Sequence, residues 1–158
     1  MEQTERSILA AALGWHEARV SFETAVADLP PALRGRRPEG YPHSPWELLE
    51  HLRLAQADLV AFMEDPGYAA PPWPAGYWPA APAPASSDAW DASVAAVLAD
   101  RERLQAIAQQ PTVELASRIP WGEGQTYLRT LLVALDHASY HVGQLVAVRR
   151  LLGAWPGA

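Results

Sequence analysis

Apolar residues return every three or four positions through four stretches of this chain, the period of helices that each bury one face. In residues 4–28, Leu9, Leu13, His16, Val20 and Ala27 share such a face, with Gly14 a mild weakness within it. In 44–63 the stripe is Leu48, Leu52, Ala55, Leu59, Phe62 and Met63. In 88–109 it is Trp90, Val94, Val97, Leu98 and Leu104, and in 126–152 it is Ala134, Ala138, Leu145, Val148 and Leu152. No stretch alternates with the two-residue period of a half-buried strand. The pattern predicts an all-α fold, a four-helix bundle in one domain spanning residues 1–158.

Proline placement sets the same boundaries. Fourteen of the fifteen prolines crowd into 30–31, 38–45, 66–84 and 111–120, and proline breaks helix interiors. Ser44, Pro45 and Glu47 predict a capping box with proline at the first helical position. Ser87 is the expected cap of the third helix. Gly153 is the expected end of the last, with Arg149 and Arg150 suited to its negative pole. The connection 68–86 is rich in Pro, Ala, Trp and Tyr, whereas a flexible tether favours Gly and Ser. It reads as an ordered segment laying Trp73, Tyr77 and Trp78 onto the bundle, the alternative being a loosely held polyproline-II strand. Its length suits a long crossover, so the helices need not alternate up and down.

Composition narrows the function. With 49% hydrophobic and 19% charged residues the chain has enough apolar surface for a globular core. A net charge of −6 provides no basic footprint, so nucleic acid is not an expected partner. The start, Met1 to Arg6, lacks the basic segment of a secretory signal, and the apolar run 8–13 is too short to span a bilayer. A cytoplasmic location without membrane attachment is the expectation. There is no cysteine, which removes thiolate ligands and a cysteine nucleophile.

The five histidines carry the chemistry. His137 and His141 are four apart on the last helix, so both rings leave one face about 6 Å apart along the axis. They border the apolar stripe, and His51 flanks the stripe of the second helix in the same way. Such residues serve either as hydrogen-bonded core histidines or as ligands to one ion. Imidazoles without thiolates suit Zn²⁺, Ni²⁺ or Cu²⁺, and binding requires neutral rings, so it should weaken below about pH 6. Gln144 shares the face of His137 and His141. It either bonds a ring N–H or a bound ligand, or is a polar residue at the stripe's rim. His16, on the inward face of the first helix, is read as a proton-transfer group lining the same pocket, a fourth ligand or a core histidine, and pocket lining is favoured over ligation. His43 is read as a partly exposed loop residue.

Three segments resemble the DinB-like (DinB/YfiT) superfamily of bacterial metal-binding four-helix bundles. They are His43-Ser44-Pro45-Trp46-Glu47-Leu48-Leu49-Glu50-His51, Trp121-Gly122-Glu123-Gly124-Gln125-Thr126 and Asp136-His137-Ala138-Ser139-Tyr140-His141-Val142-Gly143-Gln144. The resemblance implies a metal triad of His51, His137 and His141, helices packed out of simple sequential order, and frequent homodimers; with the donor chemistry above, zinc or nickel is the expected ion. Some relatives are transferases or isomerases dependent on bacillithiol, mycothiol or glutathione. Three readings follow: a metal-dependent thiol S-transferase acting on a small molecule, a metal-dependent hydrolase, and a non-catalytic bundle with a structural or sensory metal. Because the chain has no cysteine, a reacting thiol would be a cosubstrate. Trp73, Tyr77 and Trp78 would then wall the acceptor pocket, with Glu123 or Gln125 at its edge.

Overall fold

A computed structural model describes residues 2–156. Among them the regular elements are helices: α1 (Gln3–Ala12), α2 (Phe22–Val26), α3 (Pro31–Arg34), α4 (Pro45–Glu64), a 3₁₀ turn (Ala75–Tyr77), α5 (Ser87–Gln109) and α6 (Tyr127–Leu151). No described helix is long and apolar enough to cross a membrane.

The local signals act as their chemistry requires. Ser44 Oγ accepts from Glu47 N–H while the Glu47 carboxylate accepts from Ser44 N–H, closing the capping box ahead of Pro45. Gly153 takes φ +66°, a conformation costly for other residues. There its N–H donates to Arg150 O and that of Ala154 to Arg149 O, completing a Schellman end. The third helix starts one residue earlier than expected, with Ser86 as its cap.

The first helix departs from expectation. Its regular structure ends at Ala12, and the chain turns through Gly14 to Arg19 before Ser21 caps α2 by accepting from Thr24 N–H. Glycine at 14 weakens a helix by about 1 kcal/mol relative to alanine. The cap at Ser21 offers the backbone a competing start, so a single stripe divides into two short helices.

Cross-helix hydrogen bonds give the topology. Glu50 pairs with Ser93, Gln56 with the Val97 carbonyl and Glu64 with Arg103, so α4 and α5 run parallel. Arg6 reaches Ala108 O and Gln105 reaches Ala10 O, so α1 runs antiparallel to α5. Arg149 donates to Thr24 O and Ala25 O, which sets α2 beside the end of α6. On its other flank α6 packs against α4, while the consecutive helices α5 and α6 touch only weakly across the bundle. The segment between α4 and α5 must therefore return the chain along the bundle. Ser44 Oγ donating to Pro82 O marks its arrival at the start of α4, and this is the long crossover.

The core lies in two clusters. One gathers Phe22, Leu48, Leu49, Leu52, Trp90, Val142 and Leu145, and the other Leu9, Val60, Met63, Leu104, Leu115 and Leu131. The groove between α4 and α6 on the outer side is left to histidines and to the crossover that covers them.

Candidate metal centre

His51 stands on the second turn of α4, where the Ser44 cap fixes the helix start. His137 and His141 occupy successive turns of α6. Packing α4 against α6 brings one nitrogen from each ring within 4.8 Å of the others. The Nε2 atoms of His51 and His137 are 3.2 Å apart. Two nitrogens bound at tetrahedral zinc stand about 3.3 Å apart, given bonds of about 2.0–2.1 Å. His51 and His141 are buried and His137 is half-buried.

The tautomer of His51 follows from its partner. Its Nδ1 lies 2.7 Å from the Tyr77 carbonyl, which can only accept, so Nδ1 carries the proton and Nε2 presents a lone pair to the centre. His141 Nδ1 is buried with no hydrogen-bond partner, and so is Gln144 Oε1 three residues further along α6. Buried polar atoms left unpaired are costly, and Gln144, whose side chain raises the His141 pKa against burial, is the group placed to hold that ring's orientation.

Burial lowers the pKa of all three rings. His137 falls to about 4, from burial and then the neighbouring His51, and His141 to about 3, from burial and then His137 and His51. His51 is lowered by burial, with the Tyr77 carbonyl opposing. Neutral imidazole is the ligating form, so near pH 7 few protons compete with an ion. Nearby carboxylates are committed elsewhere: Glu50 to Arg53 and Ser93, and Glu47 to Arg37 and the α4 cap. The residues present fit a divalent ion of the zinc type. Three protein donors would leave a bound ion room for a ligand from outside the chain.

The crossover forms the roof. The Trp78 ring stacks on His51 at 4.1 Å and 7°, and on His43 at 4.2 Å and 16°. Tyr77 supplies its carbonyl to His51 and its hydroxyl to Asp58 Oδ2, at 2.9 Å. Tyr140, 62% exposed, meets His141 edge-on at 5.0 Å and accepts from Gln144 Nε2. Trp73 is expected on the bundle, but it is 77% exposed, with its ring 5.6 Å from that of Tyr77. The next residues are the ones drawn under.

His16 is not brought to this centre. It is exposed in the turn after α1, beside a surface hollow with Glu17, Arg19, Ser21 and Thr24. Its inward placement required a continuous first helix, and the break after Ala12 removes it. Gln144 is half-buried on the face of His141, and His43 is half-buried against Trp78. Sequence reasoning missed the Tyr77 carbonyl, which has no side-chain signature, and Asp58. The aromatic run 77–78 was the one available signal for the roof.

Bundle and centre together define a class: a helical protein whose three histidines, two from one helix and one from another, could hold a metal ion. The chain belongs to the DinB superfamily, whose family model matches residues 15–145. No curated protein and no solved structure gives a significant match.

Proposed function

We propose that the protein is a metal-dependent thiol S-transferase, with zinc or nickel held by His51, His137 and His141. The observation that carries this reading is the convergence of three neutral ring nitrogens with no fourth protein donor among the described residues. Zinc-type ions bound in such sites lower the pKa of an approaching thiol, making its sulfur nucleophilic near neutral pH. The chain has no cysteine, so the thiol comes from solution, as a small molecule of the glutathione, bacillithiol or mycothiol kind. In the transfer the thiol gives up its proton to solvent. Its sulfur forms a bond to an electrophilic carbon, and the leaving group departs with the bonding pair.

The chain's own residues orient and shelter this reaction. Trp78 and Tyr77 keep water from one side of His51. A cavity of about 450 Å³ opens in the same groove, lined by Phe62, Tyr68, Trp121, Glu123, Gln125 and Arg129 among others. Asp58, also on its wall, follows His51 by seven residues, and Thr130 precedes His137 by seven. Seven residues advance about 10 Å along a helix, so the cavity is the neighbouring berth for an acceptor. Its aromatic and mixed-charge lining suits a small organic molecule.

The test loads untagged protein with Co²⁺ and titrates glutathione, bacillithiol and simple thiols. A sulfur-to-cobalt charge-transfer band should grow in, saturate and be absent from His137→Ala. If carboxylates perturb the cobalt spectrum and no thiol does, the transferase reading falls.

A further inference from the structure

Asp58 touches none of the three histidines, yet its carboxylate holds the crossover in place. Tyr68 OH donates to Oδ1 at 2.7 Å and Tyr77 OH donates to Oδ2 at 2.9 Å. The two tyrosines flank the part of the crossover that climbs from the end of α4. Tyr68 is further fixed by its edge contact with Phe62 at 5.2 Å. Both phenol pKa values are raised, first by burial and then by Asp58, so both hydroxyls stay protonated and donate. A carboxylate is the one common side chain that accepts from two hydroxyls on separate oxygens without presenting a donor to either.

The second arm leads directly to the centre. The residue whose hydroxyl binds Asp58 is the residue whose carbonyl holds His51 Nδ1, at 2.7 Å, and the next residue is the Trp78 that stacks on the His51 ring. Asp58 and His51 lie seven residues apart on one face of α4, so one rigid helix carries both ends of the link. We infer that Asp58 is a positioning residue for the metal centre: through Tyr77 it fixes the crossover, and thereby the tautomer and ring orientation with which His51 faces the ion.

The inference rests on the metal reading for its consequence, while its geometry is readable without metal. A neutral His51 held by the Tyr77 carbonyl is the Nδ1–H tautomer. Once the strap is released, water competes for both ring nitrogens and the Nε2–H form should appear. The loss of a group that orients a ligating histidine typically weakens metal binding by about 10–100-fold.

The experiment uses the untagged full chain. A histidine-selective ¹⁵N spectrum of metal-free protein at pH 7.5 reports the His51 tautomer, and competition with a chelator reports zinc affinity. Asp58→Leu and Tyr77→Phe should each give mixed tautomers and about tenfold weaker zinc binding. The double variant should be no worse than either, because both cut one link. Tyr68→Phe, which leaves the Tyr77 arm intact, should stay within about threefold of wild type. Should Asp58→Leu fail to fold, Tyr77→Phe, which removes a single hydroxyl, reads the same link. An unchanged His51 tautomer in Tyr77→Phe, or additive losses in the double variant, overturns the assignment. Wild-type protein that binds no zinc defeats the metal reading alone, since the tautomer spectrum still decides the role of Asp58.

Discussion

His141 joins two demands that pull against each other: a ligand must be reachable by an ion, and a buried imidazole must not charge. Burial and the adjoining rings resolve this by holding His141 neutral to about pH 3 and His137 to about pH 4. In the unfolded chain both titrate near 6.5. Between those values the unfolded state binds protons that the folded state refuses, so stability rises with pH across that window. The metal-free protein should therefore be fully stable above about pH 6.5 and lose stability as pH falls toward 4. Urea midpoints measured from pH 7.5 to 4.5 should decline with that shape in wild type and less steeply in His137→Ala. A profile identical in the two would contradict the buried neutral rings. The same shifts move the onset of metal loss below the pH 6 expected of unperturbed histidines. At this scale the sequence exposed the pair on α6 and its partner on α4, because side-chain identity and helical period carry that information. The Tyr77 carbonyl stayed hidden because every residue has one.

Among the elements, α4 depends most visibly on one residue. Ser44 caps the helix that carries His51, and its hydroxyl also donates to Pro82 O on the crossover. Ser44→Ala should destabilise the protein by about 1–2 kcal/mol, the worth of a cap with an added hydrogen bond. Thermal unfolding of the metal-free variant checks this, and an unchanged midpoint would mean that the cap is redundant. The Ser-Pro-Trp-Glu signature makes this helix start readable in the sequence. The first helix was less readable, because its apolar stripe continues across 13–20 even though Gly14 and Ser21 divide it. Periodicity reports which face would be buried, and local caps decide whether one helix or two supply it. His16 shared the stripe and so was assigned to the pocket, but it lies on the exposed turn.

On the scale of the whole molecule, packing turns a list of helices into a centre. Parallel α4 and α5 require the crossover to retrace the length of a helix, and that return path lays Tyr77 and Trp78 over the histidines. Buried arginines hold the frame at both ends. Arg6 donates to the Ala108, Gln110 and Val113 carbonyls, and Arg149 to those of Thr24, Ala25 and Ala154. In the sequence Arg149 read only as a charge suited to a helix end. Its burial, at 1% exposed, depends on long-range packing that the local pattern does not encode. Arg149→Ala would leave those carbonyls unpaired in the core and should cost about 3 kcal/mol or more, measured by denaturant unfolding. A loss below about 1 kcal/mol would show that water replaces the guanidinium without penalty.

The central claim is that three side chains from two helices form one metal centre. Elemental analysis of untagged protein, loaded with zinc and then equilibrated against a chelator of known affinity, tests it most directly when wild type is compared with His141→Ala. The account predicts one ion per chain in wild type and affinity lower by more than about tenfold in the variant, which retains only two protein ligands. Equal metal content in the two proteins at every chelator concentration would contradict it.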